Sequence, residues 1–127
     1  MGPLGFVAVG VGAAVGAWLR WWLNHRLNAL YPAIPMGTLA ANLIGGFLVG
    51  VAIGAFERHP DMTPEMRLLI VTGFLGGLTT FSSFSADVVT LFQRGDYPLG
   101  MAAIGLHLIG SLVLTAAGIA AVRVLSQ

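Results

Sequence analysis

A chain of 127 residues has the length of one domain, yet 57% of it is hydrophobic and 9% charged, against roughly 25% charged in an average soluble domain. Six arginines, no lysine, five acids and three histidines leave a formal charge of +1, which offers no basic footprint for nucleic acid and no acidic tail. Cysteine is absent, so disulfides and thiolate metal sites are excluded and the composition points to lipid.

The start of the chain has no cationic n-region, and the apolar stretch behind it is as long as a full span, so no cleaved signal peptide is expected. That first run, from about Leu4 to Leu23, covers about 20 residues and about 30 Å of helix, enough to cross a hydrocarbon core. It closes on Trp21, Trp22, Asn24, His25 and Arg26, where the tryptophans suit an interfacial belt. Leu30 to Pro35 reads as a loop. A second span runs from about Met36 to Phe56 and ends at Glu57, Arg58, His59, Pro60 and Asp61. Pro64, in Thr63-Pro64-Glu65, suits the start of a helix, and a third span from about Met66 to Phe92 stops at Arg94-Gly95-Asp96. The fourth extends from about Tyr97 or Pro98 to Leu125. Spans at about 4–23, 36–56, 66–92 and 97–125 make one four-span membrane domain over residues 1–127, with both termini on the same side.

Small residues recur four apart: Gly12 with Gly16, Gly46 with Gly50 and Gly54, Gly73 with Gly77, Ser111 with Thr115. Such stripes let helix backbones approach closely, and a bundle of four short helices is thin enough to expect a homo-oligomer. Orientation follows arginine and lysine near the span ends. Arg20, Arg26 and Arg94 fall on one side and Arg58, Arg67 and Arg123 on the other, three against three. A chain without an orientation signal can insert both ways, and two opposed copies would pair as an antiparallel dimer.

No catalytic constellation is present: no HExxH, no phosphate-binding loop and no histidine–carboxylate cluster at ligand spacing, so an enzyme is not expected. The cluster from Glu57 to Arg67 reads as a solvated loop. The third span is unusual. Gly73, Gly76 and Gly77 precede the hydroxyl and aromatic stretch Thr79-Thr80-Phe81-Ser82-Ser83-Phe84-Ser85, and glycine costs about 1 kcal/mol in a helix interior. A break there would free carbonyls at the C-terminal end of a half-helix, where a cation can be coordinated. A straight helix, with glycine packing and hydroxyls bonded back to their own carbonyls, accounts for the same composition.

Asn42 brings an amide into the second span, either as an interhelical hydrogen bond that glues the bundle or as a ligand group. Ser111 and Thr115 place hydroxyls one turn apart on the fourth span, and His107 continues that face as a helix-packing hydrogen-bonder. These groups supply donors and no cation in mid-membrane, which suits a small, strongly hydrogen-bonding anion. The positive edges of Phe81 and Phe84 could add to them, unless the rings only pack.

Over almost its whole length the chain resembles the Fluc family of fluoride channels, also called the CrcB family. The matching stretches are Gly16-Ala17-Trp18-Leu19-Arg20-Trp21, Gly37-Thr38-Leu39 with Asn42 and Gly45, Gly73 to Ser82 with Phe84-Ser85, and Gly110-Ser111. The third stretch is long and specific. The resemblance implies an all-α integral membrane protein of four transmembrane helices, the third broken near the midplane, assembled as an antiparallel dual-topology homodimer. It implies a fluoride-selective channel for passive efflux across the inner (plasma) membrane of a bacterial cell, protecting the cytoplasm from fluoride. Asn42, Phe81 and Phe84 would coordinate fluoride, with the hydroxyls of Ser82, Ser83, Ser111 and Thr115 along a polar track and Arg20 near a pore mouth. A structural Na⁺ at the dimer centre would be held by the main-chain carbonyls of Gly76 and Thr79. Two positions depart from the family pattern: Ser83 where threonine is usual, and Asp87 where glutamate is frequent. A proton-coupled exporter of the small multidrug resistance type would need an acid deep in a span, and only Asp87, toward one end of span three, approaches that. A non-transporting assembly subunit would explain the glycines but leave Asn42 and the 79–85 stretch without a role.

Overall fold

The computed structural model describes residues 2–127; Met1, the first residue of the expected four-span domain, lies outside them. Among the described residues all regular structure is helical. Helix α1 is Pro3–Leu27, opened by its proline, and α2 is Met36–Arg58. The third segment is two helices. Helix α3 (residues 64–78) joins an α-helical turn at Pro64–Arg67, a π-helical stretch at Leu68–Leu75 and a last turn at Gly76–Leu78. Helix α4 is Phe81–Gln93 and α5 is Tyr97–Leu125. Four segments, Pro3–Leu30, Met36–Arg58, Pro64–Gln93 and Tyr97–Leu125, are long and apolar enough to cross a membrane.

Helix α1 continues through Asn24, His25 and Arg26, beyond the apolar run. Side chains four apart meet on this last turn: Trp21 stacks on His25 at 5.9 Å, and the Arg26 guanidinium sits 5.7 Å from the Trp22 ring. Two asparagines then stitch α1 to α2. Asn28 Oδ1 accepts from the Gly37 N–H at 2.7 Å, and Thr38 Oγ1 donates to Asn24 Oδ1 at 3.3 Å. Thr63 caps α3, its Oγ1 accepting from the Met66 N–H at 3.2 Å. From this first turn of α3 Arg67 reaches back over the preceding loop, donating to the carbonyls of Met62 (3.5 Å) and His59 (3.4 Å), and covers the Phe56 ring at 4.9 Å. Helix α4 ends in a Schellman turn, with Asp96 N–H on Leu91 O (2.9 Å) and Gly95 N–H on Phe92 O (3.0 Å). The positive φ of 80° at Gly95 is the left-handed conformation that this turn requires.

The glycine stripes define the packing. Gly12 and Gly16 on α1 face Gly73 and Gly77 on α3 so closely that Gly12 Cα lies 3.0 Å from where a Cβ on Gly73 would stand. Gly46, Gly50 and Gly54 on α2 face Ser111, Thr115, Gly118 and Val122 on α5 in the same way. A methyl group at Gly50 would meet the Thr115 carbonyl, so these backbones touch only because the side chains are missing. Leu23, Ala41, Ala52, Leu75 and Leu78 form one core, and Ile34, Val88, Leu91 and Ala103 a second beside α4. Large apolar side chains such as Phe6, Trp18, Ile109 and Leu112 point outward, more than 60% exposed, as lipid-facing residues do.

Candidate anion site at the helix break

Thr79 (φ −87°, ψ 155°) and Thr80 (φ −149°, ψ 112°) are extended, so the third segment is interrupted at its middle between Leu78 and Phe81. Local chemistry stops and restarts the helix. The Leu75 carbonyl accepts both the Thr79 N–H (3.0 Å) and the Thr79 hydroxyl (2.8 Å), which closes the last turn of α3. Thr80 Oγ1 accepts from the Ser83 N–H at 3.1 Å and so caps α4. Its hydroxyl also lies 3.2 Å from Ser82 Oγ.

The backbone N–H and C=O of Thr80, part-buried at the break, are both taken up by Asn42. Asn42 Oδ1 accepts from the Thr80 N–H at 2.7 Å, and Asn42 Nδ2 donates to the Thr80 carbonyl at 3.0 Å. A buried backbone group without a partner costs about 1–3 kcal/mol, and lipid offers none, so this double bond is what makes a break tolerable inside a span. Asn42 is both the interhelical glue and a wall of the site, since Nδ2 also reaches His107 Nδ1 at 3.0 Å. His107 is 5% exposed and lies against the Phe84 ring at 4.7 Å. Phe84 in turn meets Phe81 edge-on, 5.4 Å away at 69°.

These groups line a cavity of about 450 Å³ together with Gly45, Gly46, Gly76, Thr79, Thr80 and Ser111. Of the residues expected from sequence, Asn42, Phe81, Phe84, Ser111, Gly76 and Thr79 are therefore brought together. Ser82, Ser83, Thr115 and Arg20 stand outside this lining. Ser82 is exposed at the start of α4, and Ser83 is half-buried behind the Thr80 cap. Thr115 directs its hydroxyl at two carbonyls, Gly46 (2.8 Å) and Ser111 (2.9 Å), and locks α2 to α5. Arg20 donates from Nε to the Gly77 carbonyl at 3.1 Å, which sets a cation at the negative C-terminal end of α3. Phe81 is 78% exposed, an aromatic ring at the cavity edge directed away from the chain's own core. Asp87 Oδ2 is buried and, among the described residues, is the one such side-chain atom without a hydrogen-bond partner.

Sequence reasoning placed Thr80 in the stretch but missed its double role as cap and clamped peptide; a threonine just before a new helical run is the signal that marks a cap. His107 was read as a packing hydrogen-bonder, and its partner is the site asparagine.

A profile of the family described as CrcB-like protein, Camphor Resistance (CrcB), matches residues 7–119. The chain belongs to the CrcB family. A protein of Cupriavidus metallidurans named Fluoride-specific ion channel FluC is 60% identical over 126 residues, covering 99% of this chain and 100% of the relative. Relatives of the same name from Pseudomonas putida (59% over 114 residues, 90% of each chain) and Nitrosospira multiformis (55% over 127 residues, 100% of this chain and 99% of the relative) extend the likeness. As in other CrcB family members, the likeness to these relatives runs over nearly the full length of the chain.

Proposed function

We propose that this protein is a fluoride-selective channel that carries fluoride passively out of the cell. The observation that carries the reading is the clamped helix break, which gathers Asn42, Phe81, Phe84 and Ser111 around one cavity in a chain 60% identical to a relative named for that activity. The cavity lining holds no cationic side chain. Its amide and hydroxyl donors and ring edges can replace the water around a small anion without the full charge that would trap it. An arriving fluoride competes with the Thr80 carbonyl and with His107 for the two N–H groups of Asn42. Weak acid HF enters from an acidic medium and ionises in the near-neutral cytoplasm, and the channel releases the anion with no energy coupling.

The assembly would be an antiparallel dual-topology homodimer in the bacterial inner membrane. The balanced arginines and the outward-facing Phe81 support it, because a second copy would close the cavity edge that Phe81 leaves open. Ser82 and Ser83 would then line a polar track shared with Ser111 and Thr115, and Arg20 would stand near a mouth. The resemblance also calls for a structural Na⁺ at the dimer centre. The residues present fit it: Gly76 and Thr79 line the cavity at the C-terminal end of α3, where the extended Thr79 ends the helix and the last carbonyls lose the donors of a following turn. Sodium held there would neutralise the converging carbonyl dipoles of two copies. Expression in a bacterial strain that lacks its own fluoride export tests the function. Growth in NaF is expected to be restored, most clearly in acidic medium; continued arrest with the protein present in the membrane would overturn the reading.

A further inference from the structure

All three tryptophans of the chain, Trp18, Trp21 and Trp22, stand near the end of α1. Trp22 closes a stripe that runs along the outside of that helix. Val11, Val15, Trp18 and Trp22 follow one another at helical spacing on one face and are between 45% and 67% exposed. At 1.5 Å per residue the stripe is about 16 Å long, close to half of a hydrocarbon core of about 30 Å and hence to one leaflet. Arg26 continues the same face one turn further, exposed, with its guanidinium 5.7 Å from the Trp22 ring. A guanidinium held over an indole keeps its N–H groups for a partner at its rim. Carboxylates are far from this end of α1 in the sequence, the first being Glu57 at the other end of α2. Glu57, Asp61 and Glu65 accompany Arg58, Arg67 and Arg123 on one side of the bundle, whereas Arg20, Arg26 and Arg94 on the other side meet only Asp87 and Asp96. The net charge of +1 therefore falls on the side of Arg26.

We propose that the stripe from Val11 to Trp22, together with Arg26, binds one anionic phospholipid of the phosphatidylglycerol type, its acyl chain along the stripe and its phosphate on the Arg26 guanidinium. Charge complementarity selects this occupant. A zwitterionic headgroup brings a cation of its own toward Arg26, and an anionic headgroup brings none. Guanidinium and phosphate meet through paired, charge-assisted N–H bonds, and the amphipathic Trp22 ring belongs at headgroup depth. Beside it Trp21, stacked on His25 at 5.9 Å, widens the aromatic floor of the site. The site requires only that α1 spans a bilayer, so it stands apart from the ion that the protein carries.

Because these three tryptophans are all that the chain has, the fluorescence of the full-length protein reports on this site alone. The purified protein is reconstituted in phosphatidylcholine liposomes that carry a fixed minor fraction of brominated lipid, either phosphatidylglycerol or phosphatidylcholine. Salt at about 0.1 M screens charges more than about 10 Å away. Brominated phosphatidylglycerol is expected to quench as if bound about fivefold more tightly than brominated phosphatidylcholine, the ratio for one arginine at an anionic headgroup. Arg26→Gln should bring that ratio to about one. Arg123→Gln removes an exposed cation from the opposite end of the bundle and should leave the ratio at the parent's value. Equal quenching by the two lipids in the parent, which needs no variant to be read, would overturn the proposal. So would a preference that survives Arg26→Gln in protein of parental helix content, or an equal loss in Arg123→Gln. Tryptophans that neither lipid quenches would also overturn it, by putting a second copy of the chain over the stripe.

Discussion

Substituting aspartate for Asn42 preserves the side chain's size and replaces one NH₂ by an oxygen. The Thr80 N–H keeps its acceptor at Oδ1, whereas the Thr80 carbonyl and His107 Nδ1, each 3.0 Å from Nδ2, lose a donor and face a carboxylate oxygen instead. Each acceptor left unpaired costs about 1–3 kcal/mol, a burden that falls on the break itself. The passing anion meets a second penalty. Two like charges about 4 Å apart at an effective dielectric near 20 repel by about 4 kcal/mol, close to three factors of ten in rate. Asn42→Asp is therefore expected to lower fluoride efflux from liposomes at neutral pH by at least about a hundredfold. Gel filtration of the same preparation should give the parent's elution volume, since Asn42 faces Thr80 and His107 of its own chain. Efflux within about twofold of the parent, from folded protein, would refute the placement of Asn42 on the ion's path.

Phe81→Ile and Phe84→Ile each remove a positive ring edge and should each lower fluoride efflux, by about tenfold for an interaction near 1.4 kcal/mol; parental rates in both would return the rings to packing. Gly50→Ala places a methyl group against the Thr115 carbonyl and should cost about 1–3 kcal/mol, read as a lower melting temperature in detergent; an unchanged melt would contradict the α2–α5 contact. Thr80→Ala removes the cap on Ser83 but leaves the Asn42 clamp on the peptide, so a stability loss of about 1 kcal/mol should come with efflux far closer to the parent than that of Asn42→Asp. Reporters fused to each terminus should both signal from both sides of the membrane; a single fixed orientation would remove the dual-topology assembly.

Hydropathy made the four spans legible because a membrane demands long apolar runs, and the span ends differ mainly where α1 carries its Trp-His-Arg turn past the apolar stretch. The glycine stripes were visible as spacings, but their pairing was not. That Gly12 meets Gly73, that Gly16 meets Phe74 and Leu78, and that Gly46 and Gly50 meet Ser111 and Thr115, depends on how the helices are arranged in space. Composition located the weak point of the third segment without deciding between a bent helix and a broken one. The decision lies in the Asn42–Thr80 bonds, between residues 38 positions apart. The π-helical stretch at Leu68–Leu75 left no mark in the residue pattern, since Leu68, Leu69, Ile70 and Val71 suit an α-helix in lipid equally well. The partners of Thr115 were equally invisible: its hydroxyl is directed at the Ser111 carbonyl one turn back and at the Gly46 carbonyl on another helix.

The measurement that bears most directly on the channel reading is fluoride efflux from the purified chain. Liposomes loaded with KF are diluted into fluoride-free medium with valinomycin to release the countercharge, and a fluoride electrode follows the loss beside a KCl-loaded control. Rapid fluoride release with chloride retained is the predicted result. Retention of fluoride by liposomes that hold the folded protein, or equal loss of both halides, would contradict a selective fluoride channel.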